Sequence, residues 1–429
     1  MITWAQQLTS TRPLLISDLL PPFQCLRQNL LDTLYFDNNA TTPIDPAVVH
    51  RMQELFSRNL ANAASQHRCG RAALRVLEQA KADILKLIDA PAEGMESAQV
   101  ILTSGGTEAN NLAIAGLHRT SQDDAHDEVN PLSVRMANTI VSGIEHPSVL
   151  EAAAEWSPRI RILPVDATGQ VRMELLEDWL KASADQNDRV SLVSIMLGNN
   201  ETGVVQNLTD ICELCHRYQA VVHSDVVQAV GKIPFSMRET GVDAVTLTSH
   251  KLHGPTGIGA LVVRHGLSIR PMLFGGGQQL TIRPGTEPVV LADALAYSLK
   301  LTLDAQSHGL YERVAQLRNA FECKLAEELP DLEVVSLNAT RLPHTANISF
   351  RGVDRQALLM ALDLAGVACS TGSACASGSG RPSHVLQAMQ LPKATVESAI
   401  RFSFSRMTNE EEVLEGVRRI VRTVRKLRG

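Results

Sequence analysis

The chain has 429 residues, with 40 Lys and Arg against 46 Asp and Glu, a formal net charge of −6 and 44% apolar residues. Moderate charge and ordinary apolar content exclude a disordered chain, and a mildly acidic balance argues against a nucleic-acid coat. The length suits two or three domains, and with only 3 Trp, 4 Tyr and 9 Phe the core is expected to be aliphatic and rich in alanine.

Seven cysteines, at 25, 69, 212, 215, 323, 369 and 375, cannot all pair and form no disulfide framework. A reducing compartment, the cytoplasm, is the natural setting, with at least one thiol free for chemistry. No run approaches the ~18 apolar residues of a membrane span. Residues 1–33 lack a basic start followed by a long apolar stretch, so they read as an extension and not as a secretory signal.

From about Asp45 to Leu301 the pattern alternates between helix and strand. ALRVLEQAKADILKLI (73–88) carries apolar residues at helical spacing, and QVILTSGG (99–106) is a short apolar run closed by glycines. TEANNLAIAGLHR (107–119) resumes the helical period, NTIVSGIEH (138–146) reads as a strand and SVLEAAAEW (148–156) as a helix. VSLVSIML (190–197), AVVHSD (220–225) and DAVTLTSH (243–250) are further strands. This alternation predicts βαβ units, hence an α/β fold with a mainly parallel sheet and helices on both faces. Leu299–Ala326 reads as one long helix linking to a smaller α+β unit. That unit holds NISFRG (347–352), a helix over Asp354–Leu364, the Gly/Ser-rich STGSACASGSG (370–380) and a basic helix from about Glu410.

Ligands of parallel sheets bind beyond the carboxyl ends of the strands, so the residues after each strand matter most. After strand 99–103, Gly105, Gly106 and Thr107 open a helix, whose first N–H groups and dipole favour an anion such as phosphate. After 138–144 comes His146, suited to stacking on a planar ligand or moving protons. After 220–224 come Asp225 and, one turn on, Gln228. After 243–249 come His250 and Lys251. A lysine ending a buried strand is desolvated, its amine pKa falls, and it suits a Schiff base. Each feature alone also has an ordinary structural reading: a glycine turn, a surface histidine, an N-cap aspartate, a snorkelling lysine. Together they supply what pyridoxal phosphate needs: a phosphate cradle, a stacking ring, an acid for the pyridine nitrogen and an amine for the aldehyde.

At this point the sequence resembles the NifS/IscS-type cysteine desulfurases, fold-type I pyridoxal-phosphate enzymes of the class-V aminotransferase family. The resemblance runs from YFDNNATTP (35–43) to IRFSFSR (400–406). It passes through TSGGTEANN (103–111), EHPSVL (145–150), NNETGVVQ (199–206), HSDVVQAVGK (223–232), SHKLHGPTGIGAL (249–261), RPGTEP (283–288) and SACASG (373–378). It implies that Lys251 holds the cofactor, His146 stacks on its ring, Asp225 pairs with the pyridine nitrogen and Gln228 with the phenolic oxygen. It implies that Gly106, Thr107, Thr248 and His250 contact the cofactor, mostly its phosphate. Thr286 would reach the phosphate bound by a partner subunit, which implies a homodimer. Asn200 and Arg401 match the residues that hold the substrate carboxylate, and Cys375 matches the thiol that takes sulfur from L-cysteine as a persulfide, leaving alanine. A sulfur acceptor, such as an iron–sulfur scaffold protein, would follow, with a transient iron–sulfur contact at Cys375. The implied division is an extension (1–33), a large cofactor-binding domain (45–308), and a small domain built from 34–44 and 309–429 that carries Cys375.

Some features depart from the family pattern. Ser224 and Val226 flank Asp225 unusually, and GGQQLTIRPGTEP lacks the usual acidic–basic pair at Gln279 and Leu280. VRTVRKLRG ends without the longer tail by which IscS-like members dock a scaffold, and SGSGRPSHVLQAM looks more NifS-like. Cys212 and Cys215 form a lone CxxC without the second ligand pair that zinc needs. Cys369 is either a resolving thiol or a small buried hydrophobe. Two other readings use the same residues: a selenocysteine lyase or cysteine-sulfinate desulfinase of the same fold, and a non-catalytic sulfur-relay partner.

Overall fold

The structure is a computed structural model that describes residues 33–91, 97–117, 138–157, 159–186, 189–372 and 381–429. In chain order, β1 (Leu34–Tyr35) is followed by α1 (Pro46–Ser57) and α2 (Arg68–Leu87). Then come β2 (Gln99–Thr103), α3 (Gly106–Gly116), β3 (Asn138–Ser142), α4 (Pro147–Trp156), β4 (Arg159–Leu163), α5 (Met173–Asp185), β5 (Val190–Ser194) and α6 (Leu208–Arg217). Next are β6 (Val221–Asp225), β7 (Ala244–Thr248), β8 (Gly259–Val263), α7 (Val289–Ser307) and α8 (Leu310–Glu328). The chain closes with β9 (Glu333–Val334), β10 (Thr345–Ser349), α9 (Arg355–Leu364), β11 (Val367–Ala368), β12 (Ala399–Ser403) and α10 (Glu410–Arg428). Among the described residues no helix is long and apolar enough to cross a membrane.

Seven strands form one sheet in the order β2-β8-β7-β6-β5-β3-β4. Each of β3 to β7 pairs in parallel with its neighbours within that set, joined by helical crossovers. Only β8 runs antiparallel to both its neighbours. The reason is local: the ten-residue link from β7 to β8 holds a short turn and no crossover helix, so the chain must double back. The sequence pattern missed β8, whose start lies in the Gly/Pro turn, and it missed β4. RIRIL alternates charged and apolar residues along the sheet's edge, where charge discourages pairing with another chain. At the other edge, Gln279 closes β2: its side chain accepts from Leu102 N at 2.6 Å and donates to Leu102 O at 3.0 Å.

The expected long helix at Leu299–Ala326 is two helices, α7 and α8, separated by His308 and by Gly309 at φ +74°. A residue at positive φ cannot continue a right-handed helix. The helix predicted over 354–364 has Asp354 as its cap, accepting from Gln356 N and Ala357 N at 3.0 and 2.9 Å. A capping box between Asn409 and Glu412 starts α10 where the sequence placed it.

The core of the large sheet is aliphatic, as expected. The smaller unit is different, because five of the nine phenylalanines meet there. Phe36, Phe321, Phe350, Phe402 and Phe404 pack edge-on at centroid distances of 5.1–6.3 Å. Phe36 directly follows β1, so this cluster fixes residues 36–42 beside the sheet β12-β10-β9.

One close approach shapes the carboxyl edge of the large sheet. Gly259 lies opposite both Thr103 and Thr248. A Cβ there would stand 2.6 Å from the Gly105 carbonyl carbon and 2.7 Å from Leu247 O. Both are backbone atoms that cannot swing aside. Gly259→Ala is therefore expected to lower stability by about 1–3 kcal/mol, read as a lower midpoint of chemical denaturation. An unchanged midpoint would show that the 103–107 turn has room to move.

Candidate active site

The carboxyl ends of β2, β3, β5, β6 and β7 open onto one cavity of about 730 Å³, within the usual range for small-molecule and cofactor sites. Ten of the residues singled out in the sequence line it: Gly106, Thr107, His146, Asn200, Asp225, Gln228, Thr248, His250, Lys251 and Arg401. Thr286 is exposed and does not line it. Cys375 lies outside the described residues, as does all of 373–380. Gly372, Arg381, Pro382 and His384, on either side of that stretch, do line the cavity.

Asp225 is the last residue of β6 and is buried. Its Oδ2 accepts from Asn110 Nδ2 at 2.8 Å and its Oδ1 from Val227 N at 3.0 Å. Asn110 also donates to Ser148 Oγ at 2.9 Å. Asn110 thus ties the acid at the end of β6 to the starts of α3 and α4. Sequence reading passed over it, although it lies one helical turn past Thr107 and so faces the same way. Gly106 and Thr107 sit at the start of α3, where backbone N–H groups have no partner within the helix.

His146 caps α4 through Nδ1, which accepts from Ser148 N at 3.2 Å and lies 2.8 Å from Ser148 Oγ. Burial holds this imidazole below its ordinary pKa, with Asp225 opposing and Lys251 adding to the effect. His250 Nδ1 meets Thr41 Oγ1 at 3.2 Å, and burial pushes its pKa down to about 4.

Lys251 does not end a strand. β7 stops at Thr248, and Ser249–Lys251 form one 3₁₀ turn, because the chain must turn back toward β8. The amine is aimed at backbone: Nζ donates to Ala40 O at 2.6 Å and to Asn39 O. Gln228 Nε2 donates to the same Asn39 carbonyl at 3.0 Å. Thr42 N and Thr42 Oγ1 both donate to His250 O at 2.9 Å. The segment 37–42, unremarkable as a sequence apart from its family likeness, is the floor beneath Lys251.

Arg401 comes from β12 in the smaller unit and is 2% exposed. Its Nη2 pairs with Asp37 Oδ1 at 2.7 Å and its Nη1 donates to Asn200 O at 3.1 Å. Arg401 Nε and Asn110 Oδ1 are buried without a hydrogen-bond partner among the described residues. An acid, an amine, a helix N-terminus and a planar cation around such a volume fit pyridoxal phosphate: carboxylate for ring nitrogen, amine for aldehyde, helix start for phosphate.

Glu145, also missed in the sequence, is fully buried. Its Oε1 accepts from Ser142 Oγ at 2.5 Å and from Met196 N at 2.7 Å, joining the ends of β3 and β5. Burial, with a smaller contribution from the charge of Asp225, pushes its pKa up to about 8. Cys212 and Cys215 face the core from α6, and burial raises both thiols, Cys212 to about 12. Cys369 packs against the phenylalanine core, and burial raises its thiol too. Among the described residues no group of three or more His, Cys, Asp or Glu could hold a metal.

Glu145 gives a pH prediction. Between its ordinary pKa of 4.5 and about 8, the folded state keeps a proton that the unfolded chain has lost. Stability therefore falls as pH rises through that window, by at most about 1.4 kcal/mol per unit. Glu145→Gln, neutral at every pH, is expected to flatten the fall in denaturation midpoint between pH 5 and 8 relative to wild type. Parallel slopes for the two proteins would place the charge on Glu145 in the native state.

Comparison with known proteins agrees with this architecture. The class-V aminotransferase family profile matches residues 34–415. A cysteine desulfurase of Gluconacetobacter diazotrophicus is 37% identical over 390 residues, 89% of this chain and 91% of that protein. A cysteine desulfurase IscS of Dictyoglomus turgidum is 34% identical over 92% of this chain and 95% of its own length. A NifS-like protein of Rickettsia africae, solved by X-ray, superposes with a TM-score of 0.79 at 31% identity, covering 91% of this chain and 99% of that one. The chain belongs to the class-V aminotransferase family, in its NifS/IscS-type cysteine desulfurase branch.

Proposed function

We propose that this chain is a pyridoxal-phosphate-dependent cysteine desulfurase that converts L-cysteine to L-alanine and retains the sulfur as a persulfide on Cys375. The observation that carries the reading is the meeting of Lys251, Asp225, the start of α3 and Arg401 on one cavity. The names of relatives 34–37% identical over about nine-tenths of the chain support the substrate. So does a structural neighbour at 27% identity and TM-score 0.71, described as SspA in complex with cysteine.

Pyridoxal phosphate, when bound, supplies an electron sink for the bonds around the substrate's Cα. Gly106, Thr107, Thr248 and His250 would contact it, mostly at the phosphate, with His146 on its ring face, Asp225 at its ring nitrogen and Gln228 at its phenolic oxygen. Thr286 would serve the site of a partner subunit, making the active unit a homodimer. Arg401 and Asn200 would hold the substrate carboxylate, for which a planar guanidinium is suited. Lys251 Nζ would take the proton from the substrate's Cα. The Cys375 thiolate attacks the substrate sulfur: an S–S bond forms, the Cβ–S bond breaks, and its electron pair stays with the carbon skeleton that leaves as alanine. L-Cysteine plus the Cys375 thiol thus become L-alanine plus the Cys375 persulfide, with no outside oxidant. A thiol-bearing acceptor, or an iron–sulfur scaffold contacting Cys375, then takes the terminal sulfur.

The test is incubation with L-cysteine and dithiothreitol, measuring sulfide and alanine. Wild type is expected to release both in equal amounts, and Cys375→Ser to lose sulfide release by at least about 100-fold. Lys251→Ala is expected to lose the visible absorbance of bound cofactor together with alanine formation. Sulfide release by Cys375→Ser at the wild-type rate would instead favour a lyase or desulfinase reading, and no turnover of L-cysteine by wild type would leave a non-catalytic relay.

A further inference from the structure

One buried lysine takes no part in that chemistry. Lys232 is 4% exposed, lies four residues beyond Gln228 and donates from Nζ to Gln228 Oε1 at 3.1 Å. Burial, and then the charge of Lys251, pulls its amine down to about 7. Among the described residues, the side chains coupled to it by charge include Lys251, His250, His253 and His344, all of them basic. A buried amine held by a neutral amide and facing the charge of Lys251 is costly, and an apolar residue of the same length would be cheaper for stability alone.

The geometry of Gln228 supplies a reason for it. An amide has an oxygen end and a nitrogen end of nearly equal size, so only its partners decide which way it points. Lys232 is a donor and never an acceptor when charged, so it selects the Gln228 oxygen. Gln228 Nε2 then meets Asn39 O at 3.0 Å, the carbonyl that also accepts from Lys251. The reversed amide would set NH₂ against an ammonium and oxygen against a carbonyl, two repulsive contacts in place of two bonds.

We propose that Lys232 is a positioning residue that locks the Gln228 amide with its NH₂ toward the cavity, so that position 228 offers the bound ligand a hydrogen-bond donor and not an acceptor. This rests on the reading of Gln228 as the contact to the phenolic oxygen of pyridoxal phosphate. An anionic ring oxygen needs a donor there, and an amide free to turn would offer it an acceptor part of the time.

The experiment titrates unloaded protein with pyridoxal phosphate and records both the dissociation constant and the visible absorbance maximum. Proteins compared are wild type, Lys232→Met, Lys232→Arg, Gln228→Leu and the double variant Lys232→Met with Gln228→Leu. Lys232→Met is expected to bind the cofactor roughly tenfold more weakly, the scale of one hydrogen bond to a charged group, and to shift the band. Lys232→Arg, which keeps the donor, is expected to restore both. In the Gln228→Leu background Lys232→Met should change neither, because there is no amide left to orient. Wild-type affinity and absorbance in Lys232→Met would overturn the proposal, and so would an equal loss in both backgrounds, which would mark a merely structural role. Should Lys232→Met fail to fold, Lys232→Gln, which can face residue 228 with either end of its own amide, carries the same expectations. If Gln228→Leu itself binds and absorbs as wild type, the cofactor contact at 228 is wrong and the proposal falls with it.

Discussion

A guanidinium buried to 2% exposure must be paired, and the ion pair of Arg401 with Asp37 is the constraint on which the site depends. Arg401 comes from β12 and Asp37 from the segment after β1, two stretches that also share backbone bonds, such as Ser403 N to Phe36 O at 2.7 Å. Phe36 is clamped by the phenylalanine cluster, so Asp37 has little freedom. The residues that follow it are then delivered to the mouth of the large sheet. Asn39 Nδ2 reaches Asn200 O at 3.0 Å, its carbonyl accepts from Gln228 and Lys251, and Ala40 O accepts from Lys251. The seam between the two sheets is also the floor of the cavity. Anything that moves the small unit moves the surroundings of the Lys251 amine.

That arrangement divides the labour by charge. The carboxyl edge of the large sheet contributes an acid, an amine and a helix start, the groups that the proposed cofactor would use. The small unit contributes the guanidinium suited to a substrate carboxylate. Burial disfavours the charged forms of His146, His250 and Glu145. Lys251 Nζ sits against two backbone carbonyls, fixed dipoles among which the proposed proton transfer would need little reorganisation.

Much of this was legible in the residues, and what escaped has a physical cause. Short apolar runs ending in Gly105–Thr107, His146, Asp225 and Lys251 placed these residues at one sheet edge, because parallel strands put their carboxyl ends together. The parallel pattern could not announce β8, which is antiparallel only because the link before it is too short for a crossover. Nor could it announce β4, whose arginines follow an edge rule and not a core rule. Asn110 and Gln228 act through partners 115 and 189 residues away, Asp225 and Asn39, so local pattern carries no trace of those bonds. Gln279, a departure from the family pattern on paper, closes the β2 edge with its own side chain, a role that only the folded register displays.

On the proposed reading, this cavity moves a sulfur atom from L-cysteine to one thiol of this chain. Mass spectrometry of peptides after a single turnover, with L-cysteine limiting and no reductant present, tests it most directly. One added sulfur on the peptide containing Cys375, alanine in equal amount, and neither product in Lys251→Ala are the expected results. Added sulfur on Cys369 or another cysteine, or alanine formed with every cysteine unmodified, would contradict it.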